Sequence, residues 1–196
     1  VESRRTPGQR AGLSREQVLA AARAQLADRG LAGLTMRALA QRLGVAPNAL
    51  YSHVPDKAHL LEELLDDALA AVSSPAADGD WRTGLCELMT ATHEVLLASP
   101  DLVPLYLGRG ARGANAQRLG AAMTALLVRG GITGTEAQEA LRVLIVYAIG
   151  FAAFEVQPGP EDADPAARSA GLAGTFDRGL GWLLTGIAAA GPGSGR

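Results

Sequence analysis

The stretch "TMRALAQRLGVAPNALYSHV", residues 35–54, constrains the fold more than any other part of the chain. Met36, Leu39, Ala40 and Leu43 recur at i, i+3, i+4 and i+7, the period of one buried helix face. Thr35 is a suitable N-cap for that helix, and Gly44 can end it in a left-handed conformation. Only Val45 and Ala46 separate Gly44 from Pro47, which suits the first position of a second helix. That helix, "PNALYSHV", is short, with Leu50 and Val54 one turn apart on its inner side, and Pro55 stops it. Two short helices around a tight glycine turn make a helix-turn-helix. A buried helix pair would have no need of Arg37, Asn48, Tyr51 and His53 on its outside.

The flanks read as helices too. Ser14 and Gln17 form a capping box, and Leu13 with Val18 has the spacing of a hydrophobic staple. The helix they open runs through "REQVLAAARAQLADRG" and is expected to stop at Gly30. Asp56 can cap a fourth helix that starts at Lys57 and carries Leu61, Leu64, Leu65, Ala68 and Val72 along one stripe. "SSPAADGD", residues 73–80, is the first strong break. Helical patterns follow at 81–98, briefly near 101–107, and at 115–129. Another begins after Thr135, whose Gln138 completes a second capping box, and runs to about Val156. Beyond an acidic loop at 157–165, a Gly- and Ala-rich helix covers about 166–189.

No strand pattern and no repeat is present, so the expected class is all-α. A flexible basic arm covers 1–13, and a three-helix helix-turn-helix DNA-binding domain with its connecting helix covers 14–72. A second helical domain is expected over 73–190, and a loose tail over 191–196.

The net charge of −2 conceals an asymmetry. Residues 1–60 hold nine basic and four acidic residues, a balance of +5, which leaves −7 for the remainder. A basic end on an acidic body is the layout of a nucleic-acid reader with a second domain attached. Cys86 is the only cysteine, which excludes an intrachain disulfide. No run of about 18 uninterrupted apolar residues occurs, so no membrane span is expected. "VESRRTPGQRAG" lacks the apolar segment of a secretory signal, and the chain is expected to be cytoplasmic. For catalysis the candidates are Cys86 and His93. Seven residues apart on a helix, they lie about 10 Å from each other, too far for a thiolate–imidazole pair. Phosphate loops, carboxylate pairs and metal-ligand spacings are missing, so no catalytic residue, metal or cofactor is expected.

With Leu50 and Val54 turned inward, Pro47, Asn48, Ala49, Ser52 and His53 surround the outer face and N-terminal end of the short helix. Asn48 can both donate to and accept from an adenine edge, and Ala49 can touch a thymine methyl. Arg37 can reach a guanine or a phosphate. Tyr51, His53 and Lys57 carry the donors that phosphate oxygens need. The stretch "LTMRALAQRLGVAPNALYSHVPDKAHLLEEL" resembles the DNA-binding domain of the TetR family of bacterial repressors, over about residues 14–72, with "LYSHVPDK" its most specific part. The resemblance implies base contacts at Arg37, Pro47, Asn48 and Ala49, and phosphate contacts at Thr35, Tyr51, His53 and Lys57. It also implies a homodimer on a palindromic double-stranded operator, released by a small ligand in the C-terminal domain.

"DWRTGLCEL", "LYLGRG" and "YAIGFAAFE" resemble the tetracycline-repressor branch of that family. On their own terms, Met89, Thr92, His93 and Leu96 with Tyr106 on one side, and Tyr147, Phe151 and Phe154 on the other, describe an apolar pocket with a few polar groups. They equally describe a core with a polar edge. The resemblance puts Tyr106 where that branch has a metal-ligating histidine. An uncharged aromatic or weakly polar effector is therefore expected, its identity open. A pocket plugged by its own side chains would instead favour control by a protein partner. Dimerisation is expected on Val143, Val146 and Gly150 of one helix and Leu180, Trp182, Leu183 and Leu184 of the last, paired across a two-fold axis into a four-helix bundle.

Overall fold

A computed structural model of the chain describes residues 13–73, 79–109, 112–157 and 164–190. The expected basic arm, apart from Leu13, and the tail lie outside the described residues. So do most of the breaks at 73–80 and 157–165. The described residues are helical, with no strand among them. Packing divides the chain into two compact units between Leu60 and Leu61.

The first unit contains α1 (Arg15–Gly33), α2 (Met36–Leu43) and α3 (Pro47–Tyr51). The Ser14–Gln17 capping box closes in both directions, and the Thr35 hydroxyl accepts the Ala38 N–H at 3.1 Å. Gly30 interrupts α1 with φ 63° and ψ −177° without ending it. One more turn, to Gly33, follows the kink before Leu34 caps it, so the stop expected at Gly30 is corrected to a kink. Gly44 takes φ 66° and donates back to the Ala40 carbonyl, the left-handed ending that its lack of a Cβ allows. The third helix is shorter than "PNALYSHV", ending at Tyr51 with Ser52 as C-cap. Val18, Ala22, Leu34, Leu39, Leu50 and Val54 are fully buried and form the core of this unit. An Arg42–Asp28 ion pair at 2.6 Å ties α2 to α1 on the outside.

α4 (Lys57–Leu69) starts in the first unit, with Asp56 accepting the His59 N–H at 2.9 Å, and ends in the second. The second unit continues with α5 (Trp81–Ala98), a 3₁₀ turn (Pro100–Leu102), α6 (Val103–Arg109) and α7 (Ala114–Arg129). α8 (Gly134–Glu155) and α9 (Pro165–Ala190) complete it. α8 starts a residue before the expected second capping box. Thr133 is the N-cap without a side-chain bond, because Gly131 and Gly134 turn the chain early through positive φ. α8 packs against α5, α6, α7 and α9 and is the central element. By length and composition it is also apolar enough to cross a membrane, and only 28% of its most apolar window is buried. Leu85, Leu88 and Met89 of α5, Leu127 of α7, Leu144 of α8 and Phe176 of α9 are all buried, and α5 packs against α7, α8 and α9.

Candidate functional site

In the first unit, the two-residue turn after Gly44 and Pro47 at the first helical position aim α3 so that Leu50 is buried. Pro47, Asn48 and Tyr51 are then left exposed, Tyr51 at 50%. Ala49 is half-buried. Thr35 and Arg37, at the start of α2, are also exposed. His53 is half-buried beside buried Val54. Lys57 is half-buried as well, and its Nζ donates to the Leu31 carbonyl at 3.4 Å. That bond braces the short turn after Gly30, a structural task that the sequence did not reveal. Gln25, fully buried, donates to the Gly33 carbonyl at 3.0 Å and serves the same turn.

The second unit holds a cavity of about 230 Å³. Of the eight residues expected to line a pocket, Met89, Thr92 and Leu96 of α5 and Tyr106 of α6 do so. His93, Tyr147 and Phe151 do not. They collect around Phe176 of α9, with His93 stacked on it at 4.0 Å and Tyr147 at 5.2 Å. Phe154 is 58% exposed. The reason is angular. At about 100° per residue, Tyr147, Phe151 and Phe154 share one side of α8, whereas Ile145 and Ile149, which line the cavity, lie on the opposite side. The α7 wall is made by Ala116, Leu119, Gly120 and Met123, small or apolar residues that carry no signal of a pocket in the sequence.

Two hydroxyls face this cavity. Thr92 Oγ1 donates to the Leu88 carbonyl and Tyr106 OH to the Leu65 carbonyl of α4, each at 2.7 Å. Burial pushes the Tyr106 phenol far above its ordinary 10.0, with the nearby Asp66 charge adding to the effect. Beside the cavity, α4 and α7 are locked at two points. The Asp66 carboxylate accepts the Asn115 N–H at 3.1 Å, the Asn115 side-chain amide at 3.2 Å and the Ala116 N–H at 2.9 Å, capping α7 from outside its own sequence. Arg118 returns the bond, donating to the Val72 carbonyl at 2.9 Å and the Leu69 carbonyl at 3.4 Å.

His93 Nε2 lies 3.3 Å from Glu155 Oε2, both side chains buried and neither making a hydrogen bond through those atoms. Desolvation lowers the His93 pKa and raises that of Glu155. Burial likewise pushes the half-buried Cys86 thiol upward, opposite to what a thiolate nucleophile needs.

The expected dimerisation residues separate into two sets. Val143 (47%), Val146 (63%), Trp182 (74%) and Gly150 are exposed, and Leu183 is half-buried. Leu180 and Leu184 are buried in the core of the unit, which corrects their placement on an outward patch. Their positions on α9 lie about 160–200° from Trp182, so the helical period itself carried this signal.

Comparison with known proteins agrees with both units. Residues 18–64 match the family described as "Bacterial regulatory proteins, tetR family", and residues 74–178 match "Tetracyclin repressor-like, C-terminal domain". The chain is similar to the tetracycline repressor protein class A from transposon 1721 of Escherichia coli. It is 32% identical to that protein over 193 residues, covering 87% of this chain and 88% of the repressor. It is also similar to BioQ, known from Mycobacterium smegmatis. The structure of BioQ with its double-stranded DNA operator matches at TM-score 0.73 and 29% identity, over 90% of this chain and 99% of that one. A TetR variant from Acinetobacter baumannii AYE in complex with minocycline matches at TM-score 0.76 and 29% identity, over 89% and 96%.

Proposed function

Because this chain belongs to the TetR family of bacterial regulatory proteins, we propose that it is a cytoplasmic, homodimeric transcriptional repressor that a small, mostly apolar effector releases from a palindromic operator. The observation that carries the DNA half is the exposed end of α3. Pro47, Asn48 and Tyr51 stand in solvent while Leu50 anchors the helix from behind, and Arg37 is exposed at the start of α2. A helix so placed can enter the major groove with Asn48, Ala49 and Arg37 at base edges. Thr35, Tyr51, His53 and Lys57 then fix register on the phosphates. Residues 14–72 serve as the DNA-binding domain with its connecting helix, and 73–190 as the effector and dimerisation domain. That BioQ and a TetR variant have been solved with an operator and with minocycline supports both halves of the proposal.

The cavity supports a small molecule over a protein partner as the effector, because its own side chains do not fill it. A two-fold dimer would set the two α3 helices about 34–36 Å apart, one turn of the duplex. By linkage, an effector that binds better to another spacing weakens operator binding by the factor with which the operator weakens effector binding. The exposed apolar residues of α8 and α9, with Trp182 and Val146 foremost, supply the self-complementary face. Footprinting the purified protein on fragments of its source genome at two salt concentrations tests this reading. Protection of a palindrome that weakens steeply with salt is expected. An absence of any protected site sinks it.

A further inference from the structure

The hydroxyls of the cavity have already placed their protons. A hydroxyl has one proton and two lone pairs. Thr92 gives its proton to the Leu88 carbonyl and Tyr106 gives its own to the Leu65 carbonyl. The other described side chains of the wall carry no N–H or O–H, with Met89, Leu96, Leu119, Met123 and Ile149 prominent among them. Backbone N–H groups of the lining residues are engaged within their helices, except that of Ala116 in the first turn of α7, which donates to Asp66. Among the described residues, then, the wall presents lone pairs and apolar surface but no free donor. A ligand carbonyl or carboxylate would enter without a partner, which costs free energy for the first and far more for the second. A ligand O–H or N–H would meet an acceptor.

The size narrows the ligand further. At about 230 Å³ the cavity exceeds the roughly 150 Å³ space that holds a benzene and falls short of the ~300 Å³ at which drug-sized pockets begin. Gly120 contributes to that space. It sits in mid-helix on the α7 wall, and a Cβ added there would meet nothing within 4 Å.

Resting on the effector reading above, we propose that this cavity takes neutral one- or two-ring molecules bearing a hydrogen-bond donor, and discriminates against anions and against ligands that can only accept. Four matched probes test it, titrated calorimetrically into the full chain without DNA: 2-naphthol, naphthalene, 2-methoxynaphthalene and 2-naphthoate. We expect 2-naphthol to bind about fivefold tighter than naphthalene, equivalent to about 1 kcal/mol. 2-Methoxynaphthalene should gain nothing over naphthalene, and 2-naphthoate should bind at least about 100-fold more weakly than the naphthol. Equal or tighter binding of the ether or the carboxylate overturns the proposal, as does absence of binding by all four.

Gly120→Leu should fill the cavity and abolish naphthol binding while the thermal midpoint stays at or above that of the parent. Undiminished affinity in that folded variant places the ligand elsewhere and overturns the assignment. The parent series tests the donor preference independently of the variant. Operator footprinting remains a separate readout. Naphthol binding with no effect on a protected operator sinks only the release mechanism, whereas operator binding without naphthol affinity sinks only the ligand class.

Discussion

Asn48 and Lys57 lie in neighbouring helices of the first unit but are suited to different contacts. Asn48 is exposed near the start of α3, where its amide can pair with both the N6 donor and the N7 acceptor on the major-groove edge of an adenine. Lys57 holds its ammonium against the Leu31 carbonyl and has donors left for a phosphate. Asn48→Ala should therefore change base preference at one position of the half-site by about 1–3 kcal/mol. Lys57→Ala should weaken binding to all sequences alike and reduce the salt slope by about 1. Competition titrations with single-base operator variants separate the two outcomes. The buried His93–Glu155 pair makes a prediction about pH. Burial lowers the imidazole below its ordinary 6.5 and raises the carboxyl above its ordinary 4.5, with Asp177 and Arg168 of α9 opposing the respective shifts. Between those values the unfolded chain protonates the histidine and ionises the glutamate, while in the folded chain each group is shifted toward its neutral form. The two linkages have opposite signs and offset one another. Glu155→Gln removes one of them. The unfolded variant then binds more protons than the folded one, so stability should rise toward pH 6.5 by up to about 1.4 kcal/mol per unit. A flat profile in urea titrations of that variant would show that folding leaves the imidazole's affinity for its proton unchanged.

Between elements, the connection most open to test is Asp66 at the head of α7. Its carboxylate takes two backbone N–H groups that α7 cannot satisfy itself, and a Cβ at Gly113 would collide with that carboxylate. Asp66→Ala should cost about 1–2 kcal/mol, in the range of a lost N-cap. Gly113→Ala should be strongly destabilising in the parent and less so beside Asp66→Ala, which removes the carboxylate but keeps a Cβ 2.5 Å from the added one. Urea denaturation of the four proteins gives the coupling, and additive effects would mean that the two residues act independently. Nothing near Asp66 in sequence announces this role, because the helix it caps begins some fifty residues later. Local signals were legible: the Ser14 box, the Thr35 cap, the Gly44 ending and the inward Leu50 all follow from spacing and backbone chemistry. Which apolar face meets which was not. The period of α8 separates Tyr147 and Phe151 from Ile145 and Ile149, but it does not say that Phe176 lies against one side and an open cavity against the other. Glycines divide in the same way. Gly179 faces the Tyr147 hydroxyl so closely that a Cβ would clash, while Gly181 and Gly186 have open space around them that nothing within one chain explains.

At the scale of the whole molecule, that open space adjoins an unusually apolar exterior. Val143, Val146, Phe154 and Trp182 are each 47–74% exposed on α8 and α9. Val146→Glu should convert the proposed dimer to a folded monomer in sedimentation experiments, with helix content intact because the residue is 63% exposed within its own chain. Operator affinity should fall with it, since each half-site would then be bound without its linked neighbour. A Val146→Glu protein that stays dimeric would move the interface off this face. Lys57 has a consequence of a different kind. It is the only lysine in the 196 residues, and it precedes the division between the two units by three positions. A lysine-specific endoprotease therefore has a single side chain at which to cut, and the cut yields residues 1–57 and 58–196, close to one fragment per unit. With that lysine half-buried in the first turn of α4 and bonded to Leu31, cleavage has to wait for the turn to open. The rate at which two fragments replace one chain then becomes a clock for that opening, and operator DNA or an effector can be read by how far each slows or speeds it.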